Sequence, residues 1–190
     1  MDRTNIITLP NDSLRIRSAR VGLITSDIKK LIEQMKEATL DWEQSRDHEV
    51  GVALAAVQVD KLYRVVVIRD DFDDKKNTNF QVFINPEIIK YEGDVVDDYE
   101  GCLSVKDIYG LVPRHTKIRV KALTEDGGEI RLRAEGFLAR VFQHEIDHTI
   151  GKLFVDRIQD NPKAFHKLSS DGKIKPLTKE EREKAFSILW

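Results

Sequence analysis

The chain has 190 residues, 31 Lys+Arg against 33 Asp+Glu for a net charge of −2, and 41% hydrophobic residues. That length suits one domain, residues 1–190, with a core of its own, and the charge balance points away from nucleic acid or an anionic membrane. The lone cysteine, Cys102, excludes an intrachain disulfide and fits a reducing cytoplasm. The opening MDRTNIITLPND has acidic residues and no apolar core, unlike a secretory or transit leader. The longest apolar runs, such as Val65-Val66-Val67-Ile68, are strand-sized and far below a membrane span.

Ser26 or Asp27 can cap a first helix in which Ile28, Leu31, Ile32, Met35 and Trp42 keep helical spacing, ending in the polar stretch from Ser45 to His48. Tyr63 to Arg69 reads as a buried strand and Asp70 to Asn79 as a solvent loop. Phe80 to Ile84 and Ile118 to Leu123 are further strands. Glu125-Asp126-Gly127-Gly128 makes a hairpin turn into Glu129 to Arg133, where apolar and charged residues alternate. A helix runs from about Glu135 to Ile150, with Gly151 as its C-terminal cap. Thr178 and Glu181 form a capping-box pattern for a last helix ending near Trp190. The order predicts an α+β domain, with antiparallel β-sheets packed around the 135–150 helix and further helices toward each terminus.

That helix carries Gln143-His144-Glu145-Ile146-Asp147-His148. Two histidines four apart project to one side and can grip one metal ion, and the glutamate between them lands where protons of an activated water are handled. A hydrolytic site of this kind needs a third protein ligand. Cys102, His115, and His48 or His166 are the imidazole and thiolate donors available. Cys102 follows a glycine in Glu100-Gly101-Cys102-Leu103-Ser104, a setting for a strand edge at which a thiolate would be stabilised by a cation.

Three separated motifs together resemble the peptide deformylase family. They are Gly51-Val52-Ala53-Leu54-Ala55-Ala56-Val57-Gln58, the EGCLS of Glu100–Ser104, and the QHExDH of Gln143–His148. Flanking matches at Pro10–Arg15, Leu111–Arg114 and Leu153–Ile158 extend the similarity over roughly residues 5 to 160. The resemblance implies hydrolysis of the formyl group from the N-terminal methionine of nascent polypeptides. It implies one divalent metal ion on Cys102, His144 and His148, ferrous iron in cells, with zinc, nickel or cobalt also suited to the donors. Glu145 would act as base and then acid, and the Gln58 amide and Leu103 N–H would stabilise the oxyanion. Glu100 and Arg114 read as a structural ion pair, and Asp147, turned from the metal, as support. The substrate backbone would add as a strand between Gly51, Val52 and Ala53 and the strand after EGCLS.

The chain departs from the family pattern at Ala53, where glycine is usual, and at Arg140 and Asp98, positions usually apolar. Phe137, Arg140 and Val141 share the helical face of His144 and would form the methionine pocket with Asp98 and Glu100. Arg140 and Asp98 could pair and close the pocket, receive a polar side chain, or leave Arg140 snorkelling to solvent. A deformylase relative with another N-acyl substrate is the alternative enzyme, and a metal-stapled binding protein the alternative class. A zinc endopeptidase fits poorly, because such enzymes take their third ligand downstream of HExxH. The expected state is a monomer, with the C-terminal helix packing on the core or facing a ribosome.

Overall fold

The computed structural model describes residues 5–46, 49–169 and 172–190. Three helices, α1 (Ser26–Gln44), α2 (Gly136–Thr149) and α3 (Lys179–Leu189), accompany seven strands. These are β1 (Ala53–Ala55), β2 (Val65–Arg69), β3 (Phe80–Cys102), β4 (Val105–Leu123), β5 (Glu129–Glu135), β6 (Phe165–Leu168) and β7 (Ile174–Pro176). All seven join one sheet in the order β1-β2-β3-β4-β6-β7, with β5 also on β4, and every strand pairing is antiparallel.

The apolar run 65–68 is buried on both faces, which explains its lack of alternation. On one face Leu54, Val65, Val67 and Ile84 pack against Ile28, Leu31, Ile32 and Met35 of α1. On the other, Ala55, Val66 and Phe83 pack against Ala139 and Phe142 of α2. Alternate residues of the same strands therefore fix both helices. Thr25, one residue before the expected caps, closes the start of α1 by accepting from the Ile28 N–H. Gln44 is its last residue, and His48 lies outside the described residues.

The strands expected at 80–84 and 118–123 are the ends of much longer ones. Past Ile84, β3 pairs only with β4, and register shifts at Ile84/Glu87, Ile88/Lys90 and Glu92/Val95 bend the ribbon. Most of residues 86–99 are exposed, so nothing there alternates in polarity. The sheet is also continuous, where several sheets were expected, because β3 runs from its pairing with β2 into its pairing with β4.

Gly151 closes α2 at φ +73°, and a Cβ there would lie 2.3 Å from the Arg15 carbonyl. No side chain fits that approach, so the end of the metal-ligand helix is set by a glycine. α3 packs back on the core, with Ala185 and Leu189 buried beside Phe165 and Val155, while Trp190 is exposed. Among the described residues, no helix is long and apolar enough to cross a membrane.

Candidate active site

α2 presents Arg140, His144 and His148 on successive turns, and β3 ends at Cys102 beside them. The ligand atoms of Cys102, His144 and His148 lie within 4.8 Å of one another, the one such group of three among the described residues. Cys102 Sγ is 3.3 Å from His148 Nε2, and His144 Nδ1 donates to Glu100 Oε2 at 2.9 Å, which leaves His144 Nε2 for a cation. Burial, with the His144 and Arg114 charges adding to it, pushes the His148 imidazole well below its ordinary pKa and keeps it in the neutral, ligating form. For His144 burial acts the same way, but the Cys102 sulfur and Glu100 carboxylate outweigh it and raise the pKa. The donor set and the convergence of its atoms fit one divalent cation. His115 and His166 lie elsewhere. The His115 backbone is clasped by the Gln143 amide, and His166 Nδ1 donates to the Ala164 carbonyl.

Glu100 is the hub beneath the ligands. Its carboxylate accepts from Arg114 at 2.8 and 3.0 Å, from Arg140 Nη1 at 2.9 Å and from His144. Burial alone would raise its pKa, but the His144 and Arg114 hydrogen bonds prevail and hold it below the usual carboxylate range. Arg114 also donates to Asp147 Oδ2 at 2.5 Å, and Arg157 donates to both Asp147 oxygens. The turned-away Asp147 thus ties α2 to β4 and to the turn that follows the helix.

Glu145 is buried, and its Oε2 has no hydrogen-bond partner. Burial, reinforced by the Glu100 charge and opposed by His144, pushes this carboxyl up to about 7. A cation alongside would pull it back down. Gln58 is buried with its Oε1 held by the Ala55 N–H at 2.9 Å, so its Nε2 is turned to Ser104 Oγ and Cys102 Sγ.

Gln58, Glu100, Cys102, His144 and Glu145 line a cleft of roughly 330 Å³, together with Val52, Ala53, Leu103, Phe137, Arg140 and Val141. Gly51 and Asp98 are not among its lining residues. The Gly51 N–H donates to Glu43, and a Cβ there would meet Thr39 at 2.7 Å, so this glycine serves close packing on α1. The pairing of Arg140 with the Asp98 carboxylate is not formed, and Arg140 does not snorkel. Arg140 is buried, and its head reaches Glu100, the Val96 and Val112 carbonyls at 2.8 and 2.7 Å, and only the backbone carbonyl of Asp98. The exposed Asp98 carboxylate caps the Tyr99 N–H instead.

Sequence reasoning missed Trp42, Glu49, Tyr99, Tyr109 and Ile174, which also line the cleft. Tyr99 and Tyr109 flank the EGCLS motif closely enough to have been suspected. Tyr109 donates to Glu49 at 2.6 Å, and burial, with Glu49 beside it, raises its pKa and keeps it a donor.

A Cys-His-His cation site with a glutamate next to it, set in an antiparallel α+β frame, defines a metal-dependent hydrolase. The comparisons narrow this. Residues 3–164 match the family model described as polypeptide deformylase. The chain is 39% identical over 158 residues to a peptide deformylase of Thermomicrobium roseum, covering 82% of this chain and 85% of that one. It is 35% identical over 182 residues to one of Chromohalobacter salexigens, covering 96% and 97%. Among solved structures, a peptide deformylase from Synechococcus elongatus in complex with actinonin superposes with a TM-score of 0.75 at 31% identity, covering 96% of this chain and 85% of that one. The chain belongs to the polypeptide deformylase family.

Proposed function

We propose that this chain, as a single catalytic unit over residues 1–190, removes the formyl group from the N-terminal methionine of nascent polypeptides. The observation that carries this reading is Glu145, a buried carboxyl with an unpartnered oxygen that lines the same cleft as Cys102 and His144. Cys102, His144 and His148 would hold a divalent cation, which we take as ferrous iron, and it would supply the Lewis acidity that makes water nucleophilic near neutral pH. Glu145 accepts the proton of the attacking water and passes it to the departing amine. As the formyl oxygen gains charge, the Gln58 amide, oriented by Ala55, and the Leu103 N–H stand as its donors.

The side chain of the formylated residue enters between Phe137, Arg140 and Val141. Because the Arg140 head is bound to Glu100 and three strand carbonyls, its methylenes are what it offers the pocket, and they suit an unbranched apolar side chain. A polar N-acyl substrate would need that head free. The backbone of the peptide adds alongside Val52 and Ala53. We take the chain to act as a cytoplasmic monomer on peptides emerging from the ribosome.

Formate release by the anaerobically iron-loaded protein tests this reading. It expects formyl-Met-Ala-Ser to be cleaved far faster than formyl-Glu-Ala-Ser. Equal rates, or none on the methionine peptide, would sink it.

A further inference from the structure

Residues 165–190 lie beyond the segment that the family model matches, which ends at 164, yet they reach the cleft. β6 joins the sheet by pairing His166 with Tyr109 and Phe165 with Gly110, and β7 pairs Ile174 with Leu168. This register places half-buried Ile174 on the cleft wall with Tyr99 and Tyr109. The His166 ring meets Tyr99 edge-on with centroids 5.0 Å apart. The hairpin therefore contributes one lining side chain and the backing of two others. Its position is anchored by Phe165, buried in the third core cluster, and by the ion pair of Lys167 with Glu181 of α3.

Ile174 stands between Lys173 and Lys175, both exposed. Strand alternation sends the lysines to the opposite face, so the cleft receives a branched hydrocarbon from a lysine-rich stretch. An extended peptide likewise sends its first and third side chains to one side, about 7 Å apart, and its second to the other. With the first side chain in the pocket of Phe137, Arg140 and Val141, the third is the next to face the same side.

We propose that Ile174 is a specificity-determining residue for the third residue of the formylated peptide, favouring an apolar side chain there. This rests on the formyl-methionine reading above. The hairpin thus gives the cleft a selectivity that a chain ending at residue 164 would lack.

The test compares kcat/KM of the metal-loaded wild type, Ile174→Leu, Ile174→Ala and Ile174→Lys. The substrates are formyl-Met-Ala-Leu, formyl-Met-Ala-Asp and formyl-Met amide, which has no third residue. Wild type and Ile174→Leu are expected to prefer leucine over aspartate at the third position. Removing most of a partly buried Ile side chain in Ile174→Ala should lower the ratio of the leucine peptide to the amide about fivefold. Ile174→Lys should shift the preference toward aspartate, a change that loss of structural support would not produce. Variants that fall equally on all three substrates, or keep the wild-type ratios, overturn the assignment. A wild type inactive on formyl-Met amide and both tripeptides instead overturns the formyl-methionine reading.

Discussion

Arg140 Nη1 donates to Glu100 Oε1 at 2.9 Å, two residues along β3 from the Asp98 carboxylate that the sequence offered as its partner. The two carboxylates share a side of the strand, but Asp98 is exposed and Glu100 is buried beneath His144. Arg140→Ile therefore strips a donor from Glu100 and from the Val96 and Val112 carbonyls at once. A loss of about 3 kcal/mol in unfolding free energy is expected from these stranded acceptors. Asp98→Asn should stay within about 0.5 kcal/mol of wild type. Urea denaturation of both variants checks this, and equal losses would mean the two residues act as a pair after all.

Metal content follows the convergence of donor atoms. Cys102→Ser, His144→Ala and His148→Ala are each expected to lose most bound metal, while His115→Ala and His166→Ala retain it. Elemental analysis after anaerobic loading distinguishes the groups, and full occupancy in Cys102→Ala would remove the thiolate from the ligand set.

Binding and chemistry separate at Glu145 and Gln58. Glu145→Gln should keep the metal and lose roughly a hundredfold or more in kcat, because an amide cannot carry the proton. Gln58→Leu removes one oxyanion donor and should lower kcat by a comparable or smaller factor with metal content intact. Near wild-type turnover in either variant would show the role to lie elsewhere.

Acid should erase the contribution of Glu100. Its folded-state pKa is depressed, so its stabilisation is present in full above the unfolded carboxyl value of about 4.3 and is lost as pH falls below it. Wild type should exceed Glu100→Gln by about 3 kcal/mol at neutral pH, the usual cost of breaking a buried ion pair. The gap should narrow steadily below about pH 4. Unfolding free energies measured across that range decide it, and a gap independent of pH would show that the carboxylate charge is not what matters.

The two histidines were legible because they obey helical geometry, whereas residue types and spacing left Cys102 beside His115, His48 and His166 as third donor, and only the resemblance of EGCLS singled it out. The Arg140 position on the metal face was legible from the same helical geometry. Its partner was not, since spacing along a strand says which side a residue faces but not how deep it lies. The outer part of β3 was hidden because a solvent-exposed ribbon with bulges needs no alternation of polarity. Ile174 gave no signal at all. It is one apolar residue among lysines, and only the pairing of β6 with Tyr109 and Gly110 brings its hairpin to the cleft.

Asp147, held between Arg114 and Arg157, and Glu100, bonded to His144, fasten α2 to its surroundings through protein groups alone. The ligand side chains are thus tied into the fold from behind, and an ion that binds them in the folded chain adds to its stability. Because one thiolate and two imidazoles accept several divalent ions, that gain in stability is open to more than one of them.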